Sequence, residues 1–272
     1  MCKGKVIAIL LAAALMAPAV AWADCGDAPE PGVDWSRCDK YKKNMRGIDL
    51  SGANLAATEL GRSDLREAKL IGVNMVEAHL SSTNLAGADL SQANLSKADV
   101  MRANLSGAIL TGVNLEGAEL IRANLQKAKL DGANLSKSGL TRADLRGADL
   151  SGASLAKAEI GRANLMGAIL RGADLSKASL HRADLRGADL SDAVLTETYF
   201  GYAIIGDAKL AHADMTEAEL FRTDVRGADL SAVRGLIQSE LDQACGDATT
   251  KLPAGLTMPA TWPCDSADVA VE

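Results

Sequence analysis

From Leu50 to Leu230 every fifth residue is apolar, 37 positions in succession with no insertion or deletion. Thirty are Leu; the others are Met75, Val100, Ile160, Phe200, Ile205, Met215 and Val225. Two residues before each lies a second regular position, Ala in 28 cases and otherwise Ser, Thr, Val or Ile. An α-helix cannot use this pattern, because five residues advance it by roughly 500° and no apolar face forms. A short extended edge can. Residues two apart point the same way, so the Ala and Leu of each unit face inward and the residue between them faces out. The remaining two residues, rich in Gly, Ser, Lys and Arg, have to turn the chain.

A second period sets the cross-section. Four edges and four corners close a square coil of 20 residues, and residues 20 apart then stack. The outward positions form such columns. One corner holds Arg62, Arg102, Arg122, Arg142, Arg162, Arg182 and Arg222, interrupted by Ser82 and Tyr202. Another holds Gly52, Gly72, Gly112, Gly132, Gly152 and Gly172, and a third contains Lys97, Lys137, Lys157 and Lys177. An edge column runs Asn54, Asn74, Asn94, Asn114, Asn134, and stacked Asn side chains can bond along such a column.

The tandem A-[DN]-L-x-x units, such as Ala93-Asn94-Leu95 and Ala143-Asp144-Leu145, resemble the pentapeptide-repeat family over about residues 46–234. The resemblance implies an all-β fold, a right-handed quadrilateral β-helix with Leu and Ala filling its interior. Nine coils would make a rod roughly 43 Å long. Some members of that family resemble a nucleic-acid duplex in shape and charge and bind DNA gyrase. This implies an alternative function here, a nucleic-acid-mimicking inhibitor of a DNA-binding enzyme such as gyrase. The chain departs from that picture in its export signal, its Arg column and its lack of a long loop.

The ends read differently. Lys3 and Lys5, the apolar run Val6–Met16 and the site Ala21-Trp22-Ala23 make residues 1–23 a secretory signal peptide. Lipidation of Cys25 fits poorly, since Asp24 precedes it. The mature chain is expected to be exported, periplasmic if the source is Gram-negative and otherwise secreted, with no transmembrane span after signal removal. Without Lys3 and Lys5 it carries 27 basic against 35 acidic residues, a balance that disfavours nonspecific nucleic-acid binding. Residues 24–45 and 235–272 are expected to cap the rod, covering the strand edges at its two ends. Leu236, Ile237, Leu241 and Ala244 fit one stripe of a short helix stopped by Gly246. Four cysteines remain in the mature chain. With the ends about nine coils apart, the expected disulfides are Cys25–Cys38 and Cys245–Cys264.

Signals for chemistry are few. His79 and His181 lie about five coils apart, roughly 24 Å, and His212 is on another corner, so they build no triad or metal site. Ser154-Leu155-Ala156-Lys157 matches S-x-x-K, but the repeat already explains it. No cofactor and no catalytic residue is expected. The Arg column has two readings: a groove for an anionic partner, or self-neutralisation by Glu59, Asp99, Glu119, Glu159 and Glu219, each three residues before an Arg. One local break stands out. Val194, Tyr199, Tyr202, Ile204 and Phe221 replace the usual polar outward residues and are expected to be exposed. They read either as a contact site flanked by Arg182 and Arg222, or as rings covering a coil distorted by Phe200. The resulting function is a non-catalytic exported interaction scaffold, with a protein partner or a second copy laid side by side.

Overall fold

The computed structural model describes residues 24–264. Residues 1–23, expected from the sequence to be a signal peptide, lie outside the described residues, as do residues 265–272. The unit Leu50–Leu55 displays the local physics. The Leu50 carbonyl accepts a hydrogen bond from Ala53 N–H at 3.0 Å across a corner whose second residue, Gly52, has φ of 68°. A positive φ at that place is the requirement of a type II turn. Every corner from 32 to 227 repeats it, often with a residue other than Gly, such as Arg142 at φ 61°. A left-handed non-glycine residue costs about 1–2 kcal/mol. The stacked core on both sides of each corner offsets that cost.

Ala53 and Leu55 are fully buried, and Asn54 pairs in parallel with Asn74 one coil above. Leu55 N–H donates to the Asn74 carbonyl at 2.7 Å and Asn74 N–H to the Ala53 carbonyl at 2.9 Å. Gly52 N–H reaches the Ile71 carbonyl at 2.8 Å. One backbone donor per unit is left over, at the first corner residue. A side chain satisfies it: Ser51 N–H donates to Asp49 Oδ1 at 3.1 Å, and the same bond recurs at Asn74, Asp89, Asn114 and many other outward positions. Outward Asp and Asn therefore complete the backbone account that a buried solenoid demands. Inward Thr hydroxyls donate to main-chain carbonyls, as Thr58 Oγ1 does to Trp35 at 2.7 Å.

The four faces are named by their mid-edge residues: Asn54 for the first, Glu59 for the second, Asp64 for the third and Lys69 for the fourth. The coils begin before residue 46. Asp34 pairs with Asn54, Asp39 with Glu59 and Asn44 with Asp64, so residues 31–45, expected as cap, already follow the coil register. Trp35 and Met45 occupy Leu positions and are buried. Lys40 occupies another, with Nζ on the Cys25 carbonyl at 2.9 Å and 3.5 Å from the centre of the Trp35 ring.

At the other end, α1 spans only Gln238–Leu241. Leu241 and Ala244 are buried as expected, but Ile237 is 56% exposed, which corrects the four-residue stripe. Ile237 is the extended residue before the helix and does not share its face. Gly246 does not stop α1 either, because the helix ends at Leu241 with Asp242 as its C-cap. Its glycine is needed for another reason: a Cβ there would enter the Trp262 ring. Trp262 Nε1 donates to the Ala244 carbonyl at 2.7 Å, locking the last segment over the coil. The segment holding α1 adds one residue and the turn 246–250 a second, so the offset of 20 becomes 21 at Asp224–Cys245 and 22 at Asp229–Lys251. Both expected disulfides are present, Cys25–Cys38 and Cys245–Cys264, with Cα separations of 5.4 and 5.5 Å.

Candidate functional site

The Arg column stands at the corner between the second and third faces. A groove of about 860 Å³ runs along it, walled by Arg62, Arg102, Arg122, Arg142 and Arg162 and floored by Gly61, Ser81, Met101, Ile121 and Thr141. Tyr41 closes one end. None of the seven column arginines has a carboxylate within 4.0 Å among the described residues. This departs from the self-neutralisation reading, and spacing supplies the reason. At the next corner Arg66, Arg146, Arg186 and Arg226 follow an Asp by two residues, and each grips it through Nε and Nη2. A column Arg follows its acid by three, from the left-handed corner position. The acids are also engaged elsewhere. Glu59 accepts the Gly61 N–H at 3.0 Å, and Asp99 accepts Met101 N–H at 3.0 Å and the Ser81 hydroxyl at 2.7 Å.

The Asp–Arg pairs leave a mark on acidity. Hydrogen bonding by Arg66 holds the Asp64 carboxyl down to about 2, against an ordinary 3.8. Lys251 does the same for Asp229, also to about 2. Lysines of the first corner pair as well: Lys137 with Glu116 at 2.8 Å and Lys177 with Glu197 at 3.1 Å.

Above the groove the column runs into the aromatic break. His181 stacks on Tyr199 with centroids 5.8 Å apart, and Tyr202 meets both His181 and Phe221 edge-on at 5.6 Å. The guanidinium carbons of Arg182 and Arg222 lie 5.4 and 5.9 Å from the Tyr202 ring. This mutual packing corrects the expected exposure. Tyr199, Tyr202 and Ile204 are half-buried, while Phe221 and Val194 are exposed at 43% and 38%. Val194 and Ile204 lie mid-edge on the first and third faces, so the five residues do not make one patch. Phe200 is fully buried without breaking register: its N–H reaches the Glu219 carbonyl at 2.9 Å, and Tyr202 N–H the Phe221 carbonyl at 2.9 Å.

The description "Pentapeptide repeats" matches residues 44–81, 74–100, 101–136, 140–172, 173–210 and 205–234. The chain belongs to the pentapeptide-repeat family. Its quadrilateral β-helix is right-handed, as in that family. This pentapeptide-repeat protein is similar to HetL, involved in heterocyst differentiation regulation in the cyanobacterium Nostoc sp. strain PCC 7120. The identity is 32% over 74% of this chain and 92% of that one, with a TM-score of 0.41. It is also similar to a pentapeptide-repeat protein of the Arabidopsis thaliana thylakoid lumen, at 32% identity over 39% of this chain and 70% of that one, TM-score 0.22. QnrB1, a plasmid-mediated fluoroquinolone resistance protein, matches at 18% identity over 79% and 94%, TM-score 0.34. No curated protein matches the chain.

Sequence reasoning missed His181 as a member of the pentapeptide-repeat protein's aromatic cluster. The signal was available: it is the only one of the three His in the same column as Phe221, two coils below it. The Asn columns stack as expected and also serve the backbone. Asn74 Nδ2 donates to Asn54 Oδ1 at 2.9 Å and Asn134 Nδ2 to Asn114 Oδ1 at 3.2 Å, while Oδ1 also caps the N–H two residues on. Among the described residues no helix is long and apolar enough to cross a membrane. The paired cysteines point to an oxidising compartment.

Proposed function

We propose that the chain is an exported, non-catalytic scaffold that binds its partner along the corner between the second and third faces. One observation carries the reading. Among the described residues, seven arginines stand in a column without a carboxylate within 4.0 Å, while every ion-paired Arg lies elsewhere. Desolvated or directed Arg beside aromatic side chains is the usual composition of a contact hot spot, and the column ends in the His181–Tyr199–Tyr202–Phe221 cluster. The disulfides and the signal-peptide reading of residues 1–23 support export. Mimicry of an acidic duplex would need negative charge around the rod, and the Arg column runs against it.

The test is photocrosslinking from position 202 in the exported compartment, followed by identification of the attached species. Crosslinks from 202 with none from Ser151, on the opposite corner, are expected. Equal labelling from both positions would refute a dedicated contact face.

A further inference from the structure

We infer that the occupant of the Arg-bearing corner is a second copy of this chain, laid side by side with its coils parallel and level. The inference rests on the contact-face reading above and names its partner. Spacing is the first argument. The Arg column repeats once per coil, about 4.8 Å. An extended peptide presents same-side residues every 6.6 Å or so, and a DNA strand one phosphate per about 3.4 Å. Neither stays in step with the nine coils from Arg62 to Arg222, whereas another coil of the same fold does.

Charge is the second argument. The mid-edge column of the second face holds Glu59, Asp99, Glu119, Glu159 and Glu219, three residues before the arginines at the corner. A two-fold axis parallel to the rod, lying in the contact plane, exchanges left and right and leaves height unchanged. It sets each acidic column opposite the partner's Arg column, coil by coil. An axis across the rod would set Arg against Arg.

The coil-by-coil content fits this pairing. From Asp39 to Arg222 no acid of the column lacks a basic residue three positions on, while two arginines, Arg142 and Arg182, follow Gly139 and Ser179 and find no acid at their level. In two coils acid and cation are replaced together, as His79 with Ser82 and as Tyr199 with Tyr202. Inside one chain this matching makes no ion pair within 4.0 Å among the described residues; across a level contact it makes two in each matched coil, related by the axis. The column lying on the axis carries no Asp, Glu, Lys or Arg from Tyr41 to Phe221, so no fixed charge there meets its own copy. There Met101 and Phe221 are exposed at 38% and 43% and supply apolar area.

Light scattering and sedimentation of the chain from Asp24 onward test this. The expected result is a dimer that weakens as salt rises. Glu119→Arg alone and Arg122→Glu alone should each weaken it about tenfold or more, since each places like charges opposite one another. The double variant exchanges the two columns at that level and should restore the dimer to near its original strength. Circular dichroism melts on the same samples keep loss of folding distinct from loss of association. A monomer at the highest soluble concentration overturns the inference, including one that takes up soluble polyglutamate instead. A double variant that stays as weak as the singles overturns it too. Either result leaves the scaffold reading standing, because that reading is tested by crosslinking in the exported compartment.

Discussion

Arg146 donates through Nε and Nη2 to the carboxylate of Asp144, at 2.9 and 2.6 Å. Arg142, on the preceding corner, has no carboxylate within 4.0 Å among the described residues; Gly139 stands three residues before it, yet Arg122 and Arg162, which do follow Glu119 and Glu159 by three, are equally without one. Two arginines four residues apart thus differ in kind. One completes an edge of its own chain, and the other faces outward on a groove. The difference follows from where each sits on the corner, and it separates structural charge from charge open to a partner.

The inward register predicts a sharp contrast between adjacent residues. Ala143→Arg forces a guanidinium into space sized for a methyl group, at a site 1% exposed. It should cost several kcal/mol in chemical denaturation, on the order of 3 or more. Arg142→Ala, exposed, should cost under about 1 kcal/mol. Equal losses would refute the register.

The double role of the Asn column predicts a graded series at position 114. Asn114 donates to Asn94 at 3.2 Å, accepts from Asn134 at 3.2 Å, and caps Glu116 N–H at 3.1 Å. Asn114→Ala removes all three and should destabilise by about 1–3 kcal/mol. Asn114→Asp keeps the acceptor and should lose less. If both variants lose the same amount, the two bonds accepted by Oδ1 contribute nothing and only the one donated to Asn94 matters.

Acid should weaken the rod at a defined place on the pH axis. Asp64 and Asp229 are held at about 2 in the folded chain, below the ordinary 3.8. A depressed carboxylate stabilises the fold above its unfolded value and loses that contribution as pH falls through its folded value. Melting temperature should therefore be flat above about pH 4 and decline from there towards pH 2. The effect of either pair is small because both are largely solvated. Asp64→Asn with Asp229→Asn should lower the plateau slightly and shallow the decline. A decline of unchanged depth in that double variant would assign acid sensitivity to other carboxylates.

The C-terminal lock predicts an unusual glycine. Gly246→Ala pushes a methyl group into the Trp262 ring, and overpacking of this kind costs about 1–3 kcal/mol. Limited proteolysis should then cleave after Lys251 while the coils stay resistant. Cleavage no faster than in the unaltered chain would show that Trp262 moves aside at little cost.

Tyr202→Arg continues the Arg column between Arg182 and Arg222, a spacing already present from Arg102 to Arg182. The half-buried ring is lost from its stack, so a melting temperature a few degrees lower is expected, with the fold kept. Crosslinking or self-association through this corner should fall. A variant that unfolds yet associates as before would make the cluster purely structural.

The strict periods of five and 20 were enough, before any coordinates, to place Ala and Leu inside, to stack the columns and to pair the cysteines by end. Each of these depends on contacts within one coil or between neighbours, and in a solenoid those are the only contacts there are. The start of the coils escaped notice because Trp35, Lys40 and Met45 fill Leu positions and hide the repeat. What only the tertiary structure decided is how outward side chains choose among partners. Asp at two residues from Arg pairs with it, and Glu at three does not, because the corner's left-handed residue separates them. Tyr199 and Tyr202 are half-buried because His181 and Phe221, 18 residues before one and 19 after the other, fold against them. Outward positions have several neighbours in reach and no single apolar interior to fill, so their partners are settled by three-dimensional competition.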